Sequence, residues 1–191
     1  MKYGLAMTAL AASFTVAAPA HARIEEARFA IAAHNIRFVG DERAPKEPGP
    51  QYEADLVFSS PEWLEFLGRP HPYVMASMNG GNGTNWAGVG LYWHIQLSEN
   101  WRFEPGFGYV VHDGDIDAPY PAGDPRREEY KRTHILFGSR DLFRDTFALE
   151  RALGEHASLA LYFEHLSHGQ ILGQGRNQGT EELGLRVGYR F

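Results

Sequence analysis

The chain of 191 residues carries a net charge of −6 and contains no cysteine. Its length suits one domain, and its excess of acidic residues argues against a nucleic-acid partner, which favours a basic surface. Without cysteine there is no disulfide framework, so stability has to come from side-chain packing and backbone pairing.

The first 22 residues have the pattern of an export signal. A lysine precedes an apolar stretch over residues 5–18, and residues 20–22 read Ala-His-Ala, the small-x-small pattern at which signal peptidase cuts. A membrane-anchoring helix is the weaker interpretation, because a proline and a histidine interrupt the run before it reaches the roughly 20 apolar residues that span a bilayer. We therefore expect cleavage near Ala22 and a mature domain over residues 23–191.

Beyond residue 23, apolar side chains recur with a period of two, which is typical of strands and not of helices. Turn signals rich in glycine, proline and charge separate about eight predicted strands, the smallest common number for a closed barrel. They lie near residues 26–38, 51–59, 71–79, 85–95, 101–112, 132–148, 157–167 and 180–191.

One face of these predicted strands is apolar and often aromatic, and the other carries charge or glycine. A soluble sandwich would also alternate, but its apolar face would seldom be this aromatic. In a transmembrane barrel the apolar face meets lipid and the charges pair inside. The sequence therefore predicts an all-β fold, an eight-stranded antiparallel transmembrane β-barrel. The predicted interior charges are Glu53, Asp55, Arg102, Glu104, Glu164, Glu182, Arg186 and Arg190.

The connections between the strands alternate in length. Residues 42–49 and 113–129 are long and rich in proline, glycine and charge, whereas residues 97–100 make a tight turn. Long loops are expected outside the cell and tight turns on the periplasmic side. Residues 60–70 break this rule, and their apolar content favours an interfacial helical turn.

The final predicted strand ends in Tyr189-Arg190-Phe191. This ending is similar to the C-terminal signal by which bacterial outer-membrane barrels are recognised for insertion. Together with the export signal and the period-two strands, it predicts a multi-pass β-barrel in the outer membrane of a bacterium.

Polar residues lie on the apolar faces of the last two predicted strands. His165 and Ser167 share a face with leucine and phenylalanine, and Glu181 continues the outward face of the final strand. Polar groups that face lipid are costly unless they lie near the interface or serve a function. If the strands pair with His165 opposite Glu181, Ser167 lies opposite Gly179, which leaves open space beside the hydroxyl.

A serine, a histidine and a carboxylate on one surface are the parts of an acyl hydrolase: the nucleophile, the general base and the group that orients the base. These residues leave one alternative open: they form a polar rim at one end of the barrel and have no catalytic role. The neighbouring Glu182 falls on the interior side with Arg186 and Arg190, where an ion pair is its expected use.

The pattern His165-x-Ser167, followed by Asn177-x-Gly179-x-Glu181 and a final strand, resembles the PagL-type lipid A 3-O-deacylases, the acyloxyacyl hydrolase family of outer-membrane barrels. Two further segments are similar to parts of this family's relatives: RPHPYVMASMN, residues 69–79, and FGSRDLFR, residues 137–144. The resemblance implies hydrolysis of the ester-linked 3-hydroxyacyl chain at the 3-position of lipid A, the membrane anchor of lipopolysaccharide.

The resemblance also implies roles for single residues. Ser167 is the expected nucleophile, His165 the base and Glu181 the third member of the triad, on the outer wall near the extracellular interface. The catalytic site thus lies on the last two strands of the barrel.

Asn177 matches the asparagine that the family has near the oxyanion position. The residue after the serine is commonly asparagine in the family and is His168 here. Backbone groups near His168 and Gly169 are the expected support for the oxyanion.

No cofactor or metal is expected at this site. A non-enzymatic structural or adhesive barrel is one alternative, and another lipid-modifying barrel enzyme, a phospholipase or an acyltransferase, is the second. The sequence leaves open the preferred acyl-chain length and whether the barrel forms a homodimer.

Overall fold

The computed structural model describes residues 23–36 and 46–191. The predicted export signal lies outside the described residues, as do residues 37–38 of the first predicted strand and 42–45 of the first long loop. The described strands are β1 (Ile24–Ala33), β2 (Pro50–Phe58), β3 (His71–Asn79), β4 (Trp86–Tyr92), β5 (Ile95–Gln96), β6 (Trp101–His112), β7 (Asp141–Leu153), β8 (Ala157–Ser167) and β9 (Thr180–Arg190). A 3₁₀ helix spans Glu62–Leu67, and the helix α1 spans Pro125–Thr133.

The strands form one antiparallel sheet that closes on itself. β1 pairs with β2 on one side and with β9 on the other, which joins the first and last strands of the chain. The two-residue β5 continues the line of β4, because both pair with β6. Counted as one strand of the wall, β4 and β5 complete the eight-stranded antiparallel barrel that the sequence predicts. Pairing of β1 with β9 closes the described sheet, so these two strands do not expose long unpaired edges that lipid could not hydrate.

The two ends of the barrel carry different connections. One end, the short-turn end, holds the start of β1, the end of β9 and the tight turns at residues 97–100 and 154–156. The other, the long-loop end, carries the connections from β1 to β2, β3 to β4, β6 to β7 and β8 to β9. The predicted helical turn in residues 60–70 is the 3₁₀ helix, at the short-turn end. Within the described part of the chain, neither helix has the length and apolar character needed to span a bilayer.

Side chains alternate across the barrel wall as the sequence pattern predicts. On β8, Leu161 is 54% exposed on the outer surface, whereas its neighbour Tyr162 is 1% exposed and points inward. The outer surface is apolar and aromatic, which suits contact with lipid tails rather than with water. Its exposed side chains include Phe29, Ile31, Val74, Val89, Phe107, Phe147, Leu185 and Val187.

Charged side chains fill the interior and pair with one another. Arg28 donates to Glu104 at 2.7 and 2.8 Å and to Glu26 at 2.9 Å. Arg144, which is fully buried, donates to Glu53 at 3.1 Å. Such ions are tolerated in a buried site because opposite charges and hydrogen bonds compensate for lost water. The predicted interior charges lie on this inner side of the wall, together with Arg28, Arg144, Glu26 and Glu150.

Glu182 is buried inside the barrel as predicted, but the predicted ion pair with Arg186 or Arg190 is wrong. Its Oε1 lies 2.8 Å from Nδ1 of His34, whereas Arg186 donates to Glu104 at 2.6 Å. Arg190 donates to Glu150 at 2.7 Å. The reason is distance along β9: four residues of strand span roughly 13 Å, so Glu182 and the two arginines lie at different levels of the lumen.

The predicted strand over residues 132–148 is wrong in its first half. Residues 132–133 end α1, which begins after Asp124, whose carboxylate accepts a hydrogen bond from the Arg126 N–H at 2.9 Å. β7 begins only at Asp141. Residues 135–137 are apolar enough to suggest a strand, but they are buried as a loop beneath the long-loop end.

Candidate active site on the outer wall

β8 and β9 carry the three predicted catalytic side chains on the outer wall. The inward residues that flank His165 in the sequence are fully buried, so the alternation turns His165 and Ser167 outward. On β9 the same alternation separates the partly exposed Glu181 from the buried Glu182. All three predicted residues lie next to the long-loop end.

His165 and Glu181 lie opposite each other in the β8–β9 register. The Nδ1 atom of His165 is 3.1 Å from Oε1 of Glu181, and the two side chains are 34% and 27% exposed. A carboxylate at Nδ1 favours the proton on that nitrogen and leaves Nε2 free to accept a proton. The pair therefore has the geometry of a general base and its orienting carboxylate.

Ser167 lies two residues beyond His165 on the same outward face, opposite Phe143 of β7. This spacing corresponds to roughly 6.6 Å along a strand. Among the contacts of the described residues, the imidazole is bonded to Glu181 and not to the serine hydroxyl. Catalytic hydrogen bonds are often long or unformed before substrate binds.

Because Gly179 has no side chain, it leaves room for the imidazole of His165. A Cβ atom added at residue 179 would lie 2.9 Å from Cε1 of His165, 3.5 Å from Nε2 and 2.8 Å from the carbonyl oxygen of Leu166. The sequence predicts open space beside the serine hydroxyl at this glycine. The histidine ring occupies part of that space, and a larger residue at position 179 would displace it.

Residues 168–179, which we call the catalytic loop, connect β8 to β9 and carry the candidate oxyanion donors. Asn177 Oδ1 accepts a hydrogen bond from the His168 backbone N–H at 3.2 Å, so that N–H is already used. Two nearby donors have no acceptor among the described residues: the Asn177 side-chain amide and the N–H of Gly169, whose φ is 59°. The geometry thus favours these two donors over the His168 N–H.

A second carboxylate flanks His165, and the sequence analysis did not single it out. Asp145 of β7 lies opposite His165 in the β7–β8 register and faces outward among aromatic residues. Glu181 on β9 makes the hydrogen bond to the His165 ring. Asp145 acts on the same ring through its negative charge, from the β7 side. An aspartate at an outward strand position was the signal that could have revealed it.

The outer wall beside the serine is apolar and aromatic. The rings of Phe107 and Phe143 stack with centroids 5.4 Å apart, and Phe143 is the residue opposite Ser167. Phe163, two residues before His165, lies opposite Leu183 of β9. The face that carries Ser167 therefore borders a surface that fits hydrocarbon.

Comparison with solved structures identifies the class of fold. The chain matches the crystal structure of the outer membrane enzyme PagL with a TM-score of 0.59 at 14% identity, covering 87% of this chain and 99% of that chain. It also matches the outer membrane protein Ail of Yersinia pestis, determined in a phospholipid bilayer nanodisc, with a TM-score of 0.43 at 10% identity and the same coverage. The match to the PagL structure shows that the fold is that of an outer-membrane β-barrel.

A sequence comparison with models of protein families identifies the family of this chain. The profile described as lipid A 3-O-deacylase (PagL) matches residues 51–190, a range that includes every candidate site residue. The chain belongs to this family of lipid A deacylases. A search of curated proteins gave no significant match.

Proposed function

We propose that the chain hydrolyses the ester-linked 3-hydroxyacyl chain at the 3-position of lipid A, with Ser167 as nucleophile, His165 as general base and Glu181 as the orienting carboxylate. The observation that carries the proposal is the 3.1 Å contact between His165 and Glu181 on the outer wall that also carries Ser167. Family membership supports the substrate, and this contact supports the chemistry.

The side of the wall determines which substrate can reach the serine. Lipid A lies in the outer leaflet with its acyl chains beside the barrel, so an outward site can meet an ester bond without extracting the lipid. Inward access is disfavoured because fully buried ions such as Glu104 and Arg144 occupy the lumen. With the long-loop end outside the cell, the site lies where acyl chains meet polar head groups.

In the proposed reaction, Nε2 of His165 takes the Ser167 proton while the serine oxygen attacks the ester carbonyl. The Asn177 amide and the Gly169 N–H stabilise the charge that develops on the carbonyl oxygen. The sugar hydroxyl then leaves with the proton from His165, and the acyl group stays on the serine. Water from the interface attacks this acyl-enzyme in the same way and releases a 3-hydroxy fatty acid. Glu181 stabilises the charged imidazole in both halves.

We also propose that the chain is exported to the outer membrane. The signal over residues 1–22 is cleaved near Ala22, and the remaining barrel inserts into the outer membrane with its long-loop end outside. The mass of the mature protein isolated from outer membranes tests this step, and we expect a chain that begins at Arg23.

Mass spectrometry of lipid A from a Gram-negative host that lacks deacylases tests the activity. The wild-type chain should remove one 3-hydroxyacyl group, and fragmentation should assign the loss to the 3-position. The Ser167→Ala variant, expressed at the same level, should leave lipid A intact. Intact lipid A with a folded wild-type barrel would indicate a structural barrel, a gained acyl chain an acyltransferase, and lost phospholipid a phospholipase. Each of these three results would overturn the proposal.

A further inference from the structure

The side chain of His168 is buried at the point where β8 ends and the catalytic loop begins, and both of its ring nitrogens are bonded. Nδ1 accepts a hydrogen bond from the Gln170 backbone N–H at 3.1 Å. Nε2 lies 2.8 Å from the backbone carbonyl oxygen of Arg176. The ring is 0% exposed, so water does not compete for either contact.

The two partners determine the protonation of the ring. A backbone N–H can only donate, so Nδ1 carries no hydrogen, and a carbonyl oxygen can only accept, so Nε2 carries one. A second proton on Nδ1 would oppose the Gln170 N–H. The His168 ring is therefore neutral, with its hydrogen on Nε2.

These contacts join the two ends of the catalytic loop. The His168 ring bonds the carbonyl oxygen of Arg176, near the end of the loop. The backbone N–H of His168 donates a hydrogen bond to Oδ1 of Asn177, the residue that follows Arg176. The carbonyl oxygen of His168 accepts from the N–H groups of Ile171 and Leu172, at 3.0 Å each. One residue thus organises both the start of the loop and the position of the Asn177 amide.

The segment beneath the loop leaves little room for another arrangement. A Cβ atom on Gly138 would lie 1.7 Å from the Arg176 carbonyl oxygen and 3.1 Å from Nε2 of His168. The Ser139 hydroxyl donates to the Leu172 carbonyl at 3.0 Å. The histidine ring is therefore held between the loop and residues 138–139.

We propose that the His168 side chain is a positioning residue for the reaction: as a neutral ring protonated on Nε2, it fastens the catalytic loop so that the Asn177 amide and the Gly169 N–H stay beside Ser167. This inference rests on the proposed function.

The tautomer can be measured without any assay of activity. Long-range ¹H–¹⁵N correlation spectra of the barrel in micelles, with labelled histidine, separate rings protonated on Nε2, on Nδ1 or on both. The chain has nine histidines, so the His168 signal is assigned by its loss in the His168→Asn variant. We expect the Nε2–H form at neutral pH.

Three variants separate the two ring contacts. In His168→Asn the side-chain oxygen can replace Nδ1, and in His168→Gln the amide nitrogen can replace Nε2, whereas His168→Ala loses both. We expect kcat to fall about ten- to a hundredfold in the alanine variant, as misplacement of catalytic groups does, with smaller losses in the other two. KM should change little, because the buried ring does not touch substrate. Gln174→Ala, exposed in the same loop, is the matched control and should keep wild-type kinetics.

The outcomes distinguish this inference from the proposed function. An inactive wild type would defeat both. An active wild type whose His168 ring is charged or protonated on Nδ1 would overturn this inference alone. So would an alanine variant with wild-type kcat. Should the alanine variant fail to fold, unchanged kcat in both the asparagine and glutamine variants would overturn it as well.

Discussion

Glu181 and Glu182 are neighbours in the chain, yet each lies against Nδ1 of a different histidine on opposite sides of the barrel wall. Glu181 is 3.1 Å from His165 on the outer surface, and Glu182 is 2.8 Å from His34 in the interior. The two-residue period of a strand separates them. We therefore expect substitutions at the two positions to have different effects, one on catalysis and one on stability.

Glu181→Ala should lower the rate of lipid A deacylation while the barrel stays folded. The loss should be smaller than for removal of the serine, because the third triad member mainly orients and stabilises the base. The measurement is release of 3-hydroxy fatty acid by the purified variants in lipid A bilayers. Asp145→Asn is the matched control, since it removes the other carboxylate that flanks His165. A larger loss in Asp145→Asn would show that Asp145 is the orienting group.

Glu182→Ala should lower the unfolding temperature and leave deacylation nearly unchanged. Its removal leaves Nδ1 of the buried His34 without its acceptor, and such an unsatisfied group costs about 1–3 kcal/mol. The temperature at which the compact band disappears on unheated gels reports this change. Loss of activity here, with Glu181→Ala active and less stable, would mean that β9 is shifted by one residue.

The stability that His34 contributes should decrease at high pH. His34 follows β1 at the long-loop end; burial would lower its pKa, but hydrogen bonds to Glu182 and Glu47 outweigh that effect and raise the pKa from 6.5 to about 9. A pKa raised by folding stabilises the protein fully below the unfolded value, and this stability is lost as pH rises through the folded value. The unfolding temperature of the wild type relative to His34→Gln should therefore fall between about pH 6 and about pH 10. A difference that grows toward high pH would contradict a charged His34.

Asn177→Ala should lower kcat by roughly ten- to a thousandfold, the range for loss of one oxyanion donor. Part of this loss would come from the His168 N–H, which loses its acceptor on Asn177. Asn177→Asp separates the two effects, because it keeps the accepting oxygen and removes the amide donor. If the aspartate variant turned over like the wild type, the amide would have no oxyanion role.

The faces of the final two strands could be predicted from the sequence because many residues determine them. Along β9, apolar side chains alternate with glycine and charge for nearly the whole strand, so one pattern turns Glu181 outward and Glu182 inward. The pairing of His165 with Glu181, which the sequence analysis considered as a condition, is compatible with these faces and is the observed register.

Other parts of the site depend on neighbours that are distant in the sequence. Inside the barrel, His34 contacts both Glu182 and Glu47, and the contact with Glu182 forms only because β1 pairs with β9 at closure. Asp145 lies in a strand that was predicted to start nine residues too early, because residues 135–137 are as apolar as a strand and are buried as a loop. The role of the His168 ring depends on a backbone carbonyl eight residues away, which no side-chain pattern reveals.

The most direct test of serine catalysis on the outer wall is a comparison of the wild type with Ser167→Ala, purified and inserted into the same lipid A bilayers. Both should give a compact band on unheated gels, since the hydroxyl is not part of the barrel's interior network. The wild type should release one 3-hydroxy fatty acid per lipid A, and the variant should be slower by several orders of magnitude. Equal rates in the two proteins would contradict the account.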